Sequence, residues 1–214
     1  MLASFTYALR TLPLSEAYSI FFVAPLLITA LAAPILGEKV GANRWWAIAI
    51  GLVGVLVVLR PSGAQMLSLG GLAVLFSTLC YAVSAITARV LGRTDSSAAM
   101  VFWLMISLAF GATALTGSDW RPVRIEHAWT LVGIAVTGSI GQFTITEAFK
   151  RGQASLIAPF EYTALAWGLG LDWLLWQTLP QPVVLLGASI VIASGLFLLW
   201  SERRRKPPVI VVVD

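Results

Sequence analysis

Apolar residues fill seven stretches of 15 to 23 residues, at 15–36, 45–59, 69–91, 98–116, 128–149, 154–176 and 183–200, and the short loops between them hold almost all the charge. A helix needs about 20 apolar residues to cross a bilayer. The pattern therefore predicts an all-α, polytopic transmembrane bundle with seven complete spans. Residues 1–9 are also apolar but too short to span, and Arg10 follows them, the reverse of a signal peptide's basic-then-apolar order. They resemble the last turns of an eighth helix whose earlier part is absent.

Punctuation between the spans fits this reading. Gly37-Glu38-Lys39-Val40-Gly41 separates the first two, Arg60-Pro61-Ser62-Gly63 ends the second, and Gly92-Arg93-Thr94-Asp95-Ser96 offers caps to the third and fourth. Pro13, Ser15 and Glu16 read as a helix start, with Ser15 as N-cap and Glu16 at the positive end of the dipole. Trp45, Trp46, Trp120, Trp129, Trp176 and Trp200 fall at span ends, where indoles anchor in the headgroup region. Gly51 with Gly54, and Gly133, Thr137 and Gly141, are expected to be close helix contacts.

The composition agrees: 58% of residues are hydrophobic and 11% charged. The net charge of +4 is spread in a way that excludes a nucleic-acid surface. Numbering the loops alternately puts ten basic residues on one side, Lys39, Arg44, Arg89, Arg93, Lys150, Arg151, Arg203, Arg204, Arg205 and Lys206. Only Arg10, Arg60, Arg121 and Arg124 fall on the other. By the positive-inside rule the first group and the C-terminus are cytoplasmic, in an inner (plasma) membrane. Cys80 and His127 are single, so neither a disulfide nor a cysteine–histidine metal site can form within the chain. No nucleotide-binding loop appears, and no nucleophile–base pair or metal cluster that an intramembrane enzyme would need. No cofactor is expected, and the minor alternative of an intramembrane enzyme is left without chemistry.

Polar groups inside a bilayer are costly and usually face a cavity or a partner helix. Ser77, Tyr81, Ser84 and Thr87 recur at helical spacing on one face of 69–91. Ser139, Gln142 and Thr146 do so in 128–149. In 154–176, Glu161 and Asp172 share a face with Gly168 between them, and Pro159 removes a helical hydrogen bond beside Glu161. A carboxylate at a weakened turn, near Tyr162 and Trp167, suits a cationic or zwitterionic solute or a proton. The bland alternative is a snorkelling Glu161 paired with Lys150 or Arg151. Tyr18, Phe22, Pro25 and Thr29 form a face that either packs or binds, and Glu147 reads as an ion pair with its basic neighbours. The candidate solute contacts are Tyr18, Tyr81, Ser84, Gln142, Thr146, Glu161, Tyr162 and Trp167.

An internal repeat lays residues 7–40 on 147–180 at an offset of 140, matching Ala8 with Ala148, Ser15 with Ser155, Ala24 with Ala164 and Leu31 with Leu171. The matched spans lie five helices apart, so they would cross in opposite senses, as in inverted-repeat transporters. The stretches Tyr7-Ala8-Leu9-Arg10-Thr11-Leu12-Pro13-Leu14-Ser15-Glu16-Ala17, Ala24-Pro25-Leu26 and Leu36-Gly37-Glu38-Lys39 resemble the EamA-type drug/metabolite transporter superfamily. So do Glu147-Ala148-Phe149-Lys150-Arg151, Gln153-Ala154-Ser155, Ala158-Pro159-Phe160-Glu161-Tyr162-Thr163 and Ala193-Ser194-Gly195-Leu196. The resemblance implies ten helices in two inverted repeats. It divides this chain into 1–60 (the end of helix three, then four and five), 69–200 (helices six to ten) and a basic cytoplasmic tail at 201–214. The usual Gly-Glu after helix nine is Gln177-Thr178 here. The implied function is secondary transport of small organic metabolites by alternating access, without enzymatic activity. The alternative is a truncated, non-transporting fragment. The partners expected are a small-molecule solute, the lipid bilayer, and either a second copy or the N-terminal helices that the chain lacks.

Overall fold

A computed structural model describes residues 1–60, 68–116, 125–177 and 182–203. The described residues are almost wholly helical: α1 (Leu2–Ala8), α2 (Leu14–Phe21), α3 (Ala24–Leu36), α4 (Ala42–Leu59), α5 (Leu69–Leu91), α6 (Ser97–Thr116), α7 (Ala128–Arg151), α8 (Ala154–Ile157), α9 (Thr163–Trp176) and α10 (Pro182–Arg203). Three-residue and five-residue 3₁₀ turns occupy Ile125–His127 and Ala158–Tyr162.

Among the described residues, six stretches are long and apolar enough to cross a membrane: Glu16–Leu36, Ala42–Leu59, Leu69–Leu91, Ser97–Ala114, Ile125–Arg151 and Pro182–Ser201. The expected seventh span, 154–176, is not one continuous helix. Pro159 has no amide hydrogen, and the chain around it tightens into the 3₁₀ turn between α8 and α9. The first span is broken as well, at Phe22 and Val23, just before Pro25 in the first turn of α3. The helix starts at Leu14 with Pro13 as N-cap, so Ser15 is not the cap. Glu16 does lie in the first turn.

The offset of 140 recurs in the element bounds. α2 begins at Leu14 and α8 at Ala154; α3 ends at Leu36 and α9 at Trp176; left-handed residues follow at Gly37 and Gln177. Two halves of the chain thus repeat a broken helix closed by the same turn.

The chain divides into two compact units, Met1–Val83 with Ser155–Asp214, and Ser84–Ala154. In the first unit, α4 and α10 pack most extensively. A Cβ on Gly54 would lie 2.8 Å from the Gly187 carbonyl oxygen, so the backbones touch because neither residue has a side chain. A Cβ on Gly51 would lie 2.6 Å from the Tyr162 ring. The expected close contact at Gly51 and Gly54 is present. One core joins Phe22, Ile48, Val55, Tyr162 and Val191, and another joins Ala8, Leu12, Ala17, Ile20 and Val74.

In the second unit α6 packs against α7, and Ser96 Oγ caps α6 by accepting from the Ala99 amide (3.2 Å). Gly133 and Gly141 have nothing within 4 Å, so the small-residue series with Thr137 is not a close contact among the described residues. That side of α7 is exposed. Arg204, Arg205, Lys206, Trp120, Arg121 and Arg124, which the charge argument used, lie outside the described residues.

Candidate functional site

Four of the eight expected solute contacts come together in the first unit. The 3₁₀ turn carries Glu161 and Tyr162, α5 carries Tyr81, and α2 carries Tyr18. The Tyr81 hydroxyl donates to Glu161 Oε1 at 2.9 Å. The pairing with Lys150 or Arg151 weighed above is therefore replaced by a tyrosine from a different span.

Around this pair runs a chain of ring contacts. The Phe21 ring lies 5.3 Å from that of Tyr81, Phe5 lies 5.7 Å from Phe21, and Tyr18 lies 5.8 Å from Phe5. Tyr18 then meets Phe22 at 6.2 Å and Phe22 meets Tyr162 at 6.0 Å, closing an aromatic series from one neighbour of Glu161 to the other. Tyr18 remains 42% exposed, while Tyr162 is 1% exposed. Among the described residues the Tyr162 hydroxyl is buried without a hydrogen-bond partner, as is that of Thr29 on α3. A buried hydroxyl left unpaired costs about 1–3 kcal/mol. Ring faces attract cations, and a carboxylate set among them suits a positively charged organic group.

The second unit holds a cavity of about 340 Å³. Ser84 and Thr87 of α5, Gln142 and Thr146 of α7, and Met100 and Trp103 of α6 are among its walls, with the Asp95 loop at one edge. Gln142 Nε2 lies 3.4 Å from Thr146 Oγ1. Three more expected contacts, Ser84, Gln142 and Thr146, therefore share this cavity; Asp95 and Trp103 had not been expected to. Trp167 is 73% exposed and belongs to neither group, because α9 turns its indole outward. Next to the cavity, Ser97 and Arg151 both donate to the Glu147 carboxylate, and Lys150 Nζ donates to the Asp95 carbonyl at 2.9 Å. The expected role of Glu147 as an ion-pair partner holds for Arg151.

A further polar cluster escaped the sequence reading. Glu38 Oε2 accepts from the Ser155 amide (3.1 Å) and from Ser155 Oγ (2.6 Å), and Arg44 Nη1 donates to that same Oγ (2.6 Å). Arg44 is 3% exposed and Ser155 is fully buried. The Gly37-Glu38 and Gln153-Ala154-Ser155 segments were visible as motifs, but nothing in their spacing joins residues 117 positions apart. His127 is exposed, and among the described residues no group of histidine, cysteine and acidic side chains could hold a metal ion.

Multiple apolar helices, helices broken by proline and polar side chains gathered at those breaks define a polytopic membrane protein of the transporter type. The family model of the EamA-like transporter family matches residues 1–60 and 68–200, and the chain belongs to that family. Among its relatives, the pseudopaline exporter of Pseudomonas aeruginosa is 23% identical over 94% of this chain and 72% of its own length. The riboflavin transporter of Vibrio cholerae is 26% identical over 90% of this chain and 65% of its own length. An S-adenosylmethionine uptake transporter of Rickettsia bellii is 26% identical over 95% and 69%. A solved crystal structure matches with a TM-score of 0.77 at 22% identity, over 94% of this chain and 72% of its own, which shows the shared fold.

Proposed function

We propose that the protein is a secondary transporter that moves small organic metabolites by alternating access, with Glu161 as the central solute-handling carboxylate. The observation that carries this reading is the Tyr81–Glu161 hydrogen bond at the 3₁₀ break, edged by aromatic rings. An ionised side chain at the centre of a membrane helix costs about 2.5–3.5 kcal/mol on insertion scales, so a carboxylate retained within an apolar stretch points to a compensating role. The aromatic surroundings favour an organic cation or zwitterion over an anion. The cavity at Ser84, Gln142 and Thr146 supplies hydroxyl and amide groups for a polar solute.

The same reading places the protein in the inner membrane with the C-terminus in the cytoplasm, on the strength of the ten-to-four basic asymmetry. The exposed surface of α7 supports a helix partner in the bilayer.

The test is reconstitution of the purified chain in liposomes with a panel of labelled amines, sulfonium compounds, flavins, amino acids and carboxylates. Glu161→Gln is expected to abolish the uptake seen with the native chain while insertion is unchanged. Equal, saturable uptake by both would overturn the assignment.

A further inference from the structure

We propose that Glu38, together with Arg44, is the positioning device for Glu161, acting through Ser155. The inference rests on the reading of Glu161 given above. Helix α8 is four residues long, a single turn that cannot hold itself in place. It leads directly into the 3₁₀ turn bearing Pro159 and Glu161, so its orientation determines where that carboxylate stands.

Both ends of this short segment are tied. At the far end, Tyr81 holds Glu161. At the near end, Glu38 accepts the amide and hydroxyl hydrogens of Ser155, as an N-cap would, except that the cap comes from the loop after α3. Arg44 donates to the remaining lone pairs of the Ser155 hydroxyl, so that hydroxyl both donates and accepts. Gly37 makes the geometry available: its φ of 68° lies in the left-handed region, which turns the chain out of α3 and brings Glu38 around. At the position 140 residues on, Gln177-Thr178 stands in place of Gly37-Glu38, so the chain carries this carboxylate after only one of its two broken helices.

The arrangement makes Glu38 a positioning residue with no need to touch the solute. Its effect should be read at Glu161 directly, separately from transport. The full chain in lipid is treated with a hydrophobic carbodiimide, and the adduct on Glu161 is quantified by peptide mass mapping. Ser155→Ala is expected to raise the labelling rate of Glu161 about fivefold, the equivalent of one lost hydrogen bond, and Ser155→Thr to restore the native rate. Should Ser155→Ala fail to insert, Glu38→Gln is read in the same way, since it keeps an acceptor oxygen but loses the charge. Labelling unchanged in both variants, or a threonine that behaves as alanine does, overturns the positioning role. Unaltered transport in Glu161→Gln overturns the functional reading instead, and the two failures are told apart because labelling needs no transport.

Discussion

Tyr81 on α5 and Glu161 in the 3₁₀ turn are 80 residues apart and share a 2.9 Å hydrogen bond. Hydrogen bonds to charged groups contribute about 1.5–3 kcal/mol. If the pair handles solute, Tyr81→Phe removes the donor and keeps the ring packing against Phe21. Transport is expected to fall about tenfold or more on that scale, with no loss of folded protein. Initial uptake rates in proteoliposomes, with gel filtration of the variant in detergent, check this. A native rate in Tyr81→Phe would show that the bond is incidental.

The cavity of the second unit makes a separate prediction. Among the described residues Trp103 is its aromatic wall, and Gln142 its amide. Trp103→Ala is expected to raise the KM for planar aromatic solutes about tenfold, in line with stacking energies of about 1–3 kcal/mol per ring, and to leave small aliphatic solutes unchanged. Equal effects on both classes would mean that the indole only packs.

Helix packing gives predictions of opposite sign at two glycines. Gly54→Ala would drive a Cβ to 2.8 Å from a backbone oxygen that cannot rotate away. Overpacking of this kind costs about 1–3 kcal/mol. Gly133 has nothing within 4 Å, and alanine there is expected to stabilise α7 by about 0.5–1 kcal/mol through helix propensity. Thermal unfolding in detergent should lower the midpoint for Gly54→Ala and leave it equal or higher for Gly133→Ala.

These two glycines also show what was legible in the sequence. Span positions and the weak turn at Pro159 follow from hydropathy and from a missing amide hydrogen, both local properties. Gly51, Gly54, Gly133 and Gly141 look alike as small residues in apolar helices, yet among the described residues only the first two are closely packed against other elements. Which face meets a partner is decided by tertiary packing. Glu161 is recognisable as a costly carboxylate and Tyr81 as a polar group on a helix face, but nothing in the sequence pairs the two or joins Glu38, Ser155 and Arg44. Pairing across 80 or 117 positions leaves no periodic trace in a single chain. Ser15 is not the N-cap because Pro13, with its fixed φ and no amide hydrogen, starts the helix two residues earlier.

The repeated turns at Gly37 and Gln177 carry the last prediction. Both residues follow a broken helix and both are left-handed, with φ of 68° and 53°. Glycine adopts that conformation freely, whereas a residue with a Cβ is strained by about 1–2 kcal/mol. Gln177 bears that strain, and among the described residues its side chain makes an exposed 3.3 Å bond to the Leu174 carbonyl. Gln177→Gly relieves the strain but loosens the unfolded chain, which offsets about 0.4–1 kcal/mol. The net expectation is stabilisation by about 0.5–1 kcal/mol. Gly37→Ala should run the other way: its Cβ would meet nothing within 4 Å, so the whole loss, about 1–2 kcal/mol, comes from the backbone. Thermal midpoints of the two variants in the same detergent decide the matter. A lower midpoint for Gln177→Gly would mean that the glutamine holds that turn by a contact stronger than the bond to Leu174.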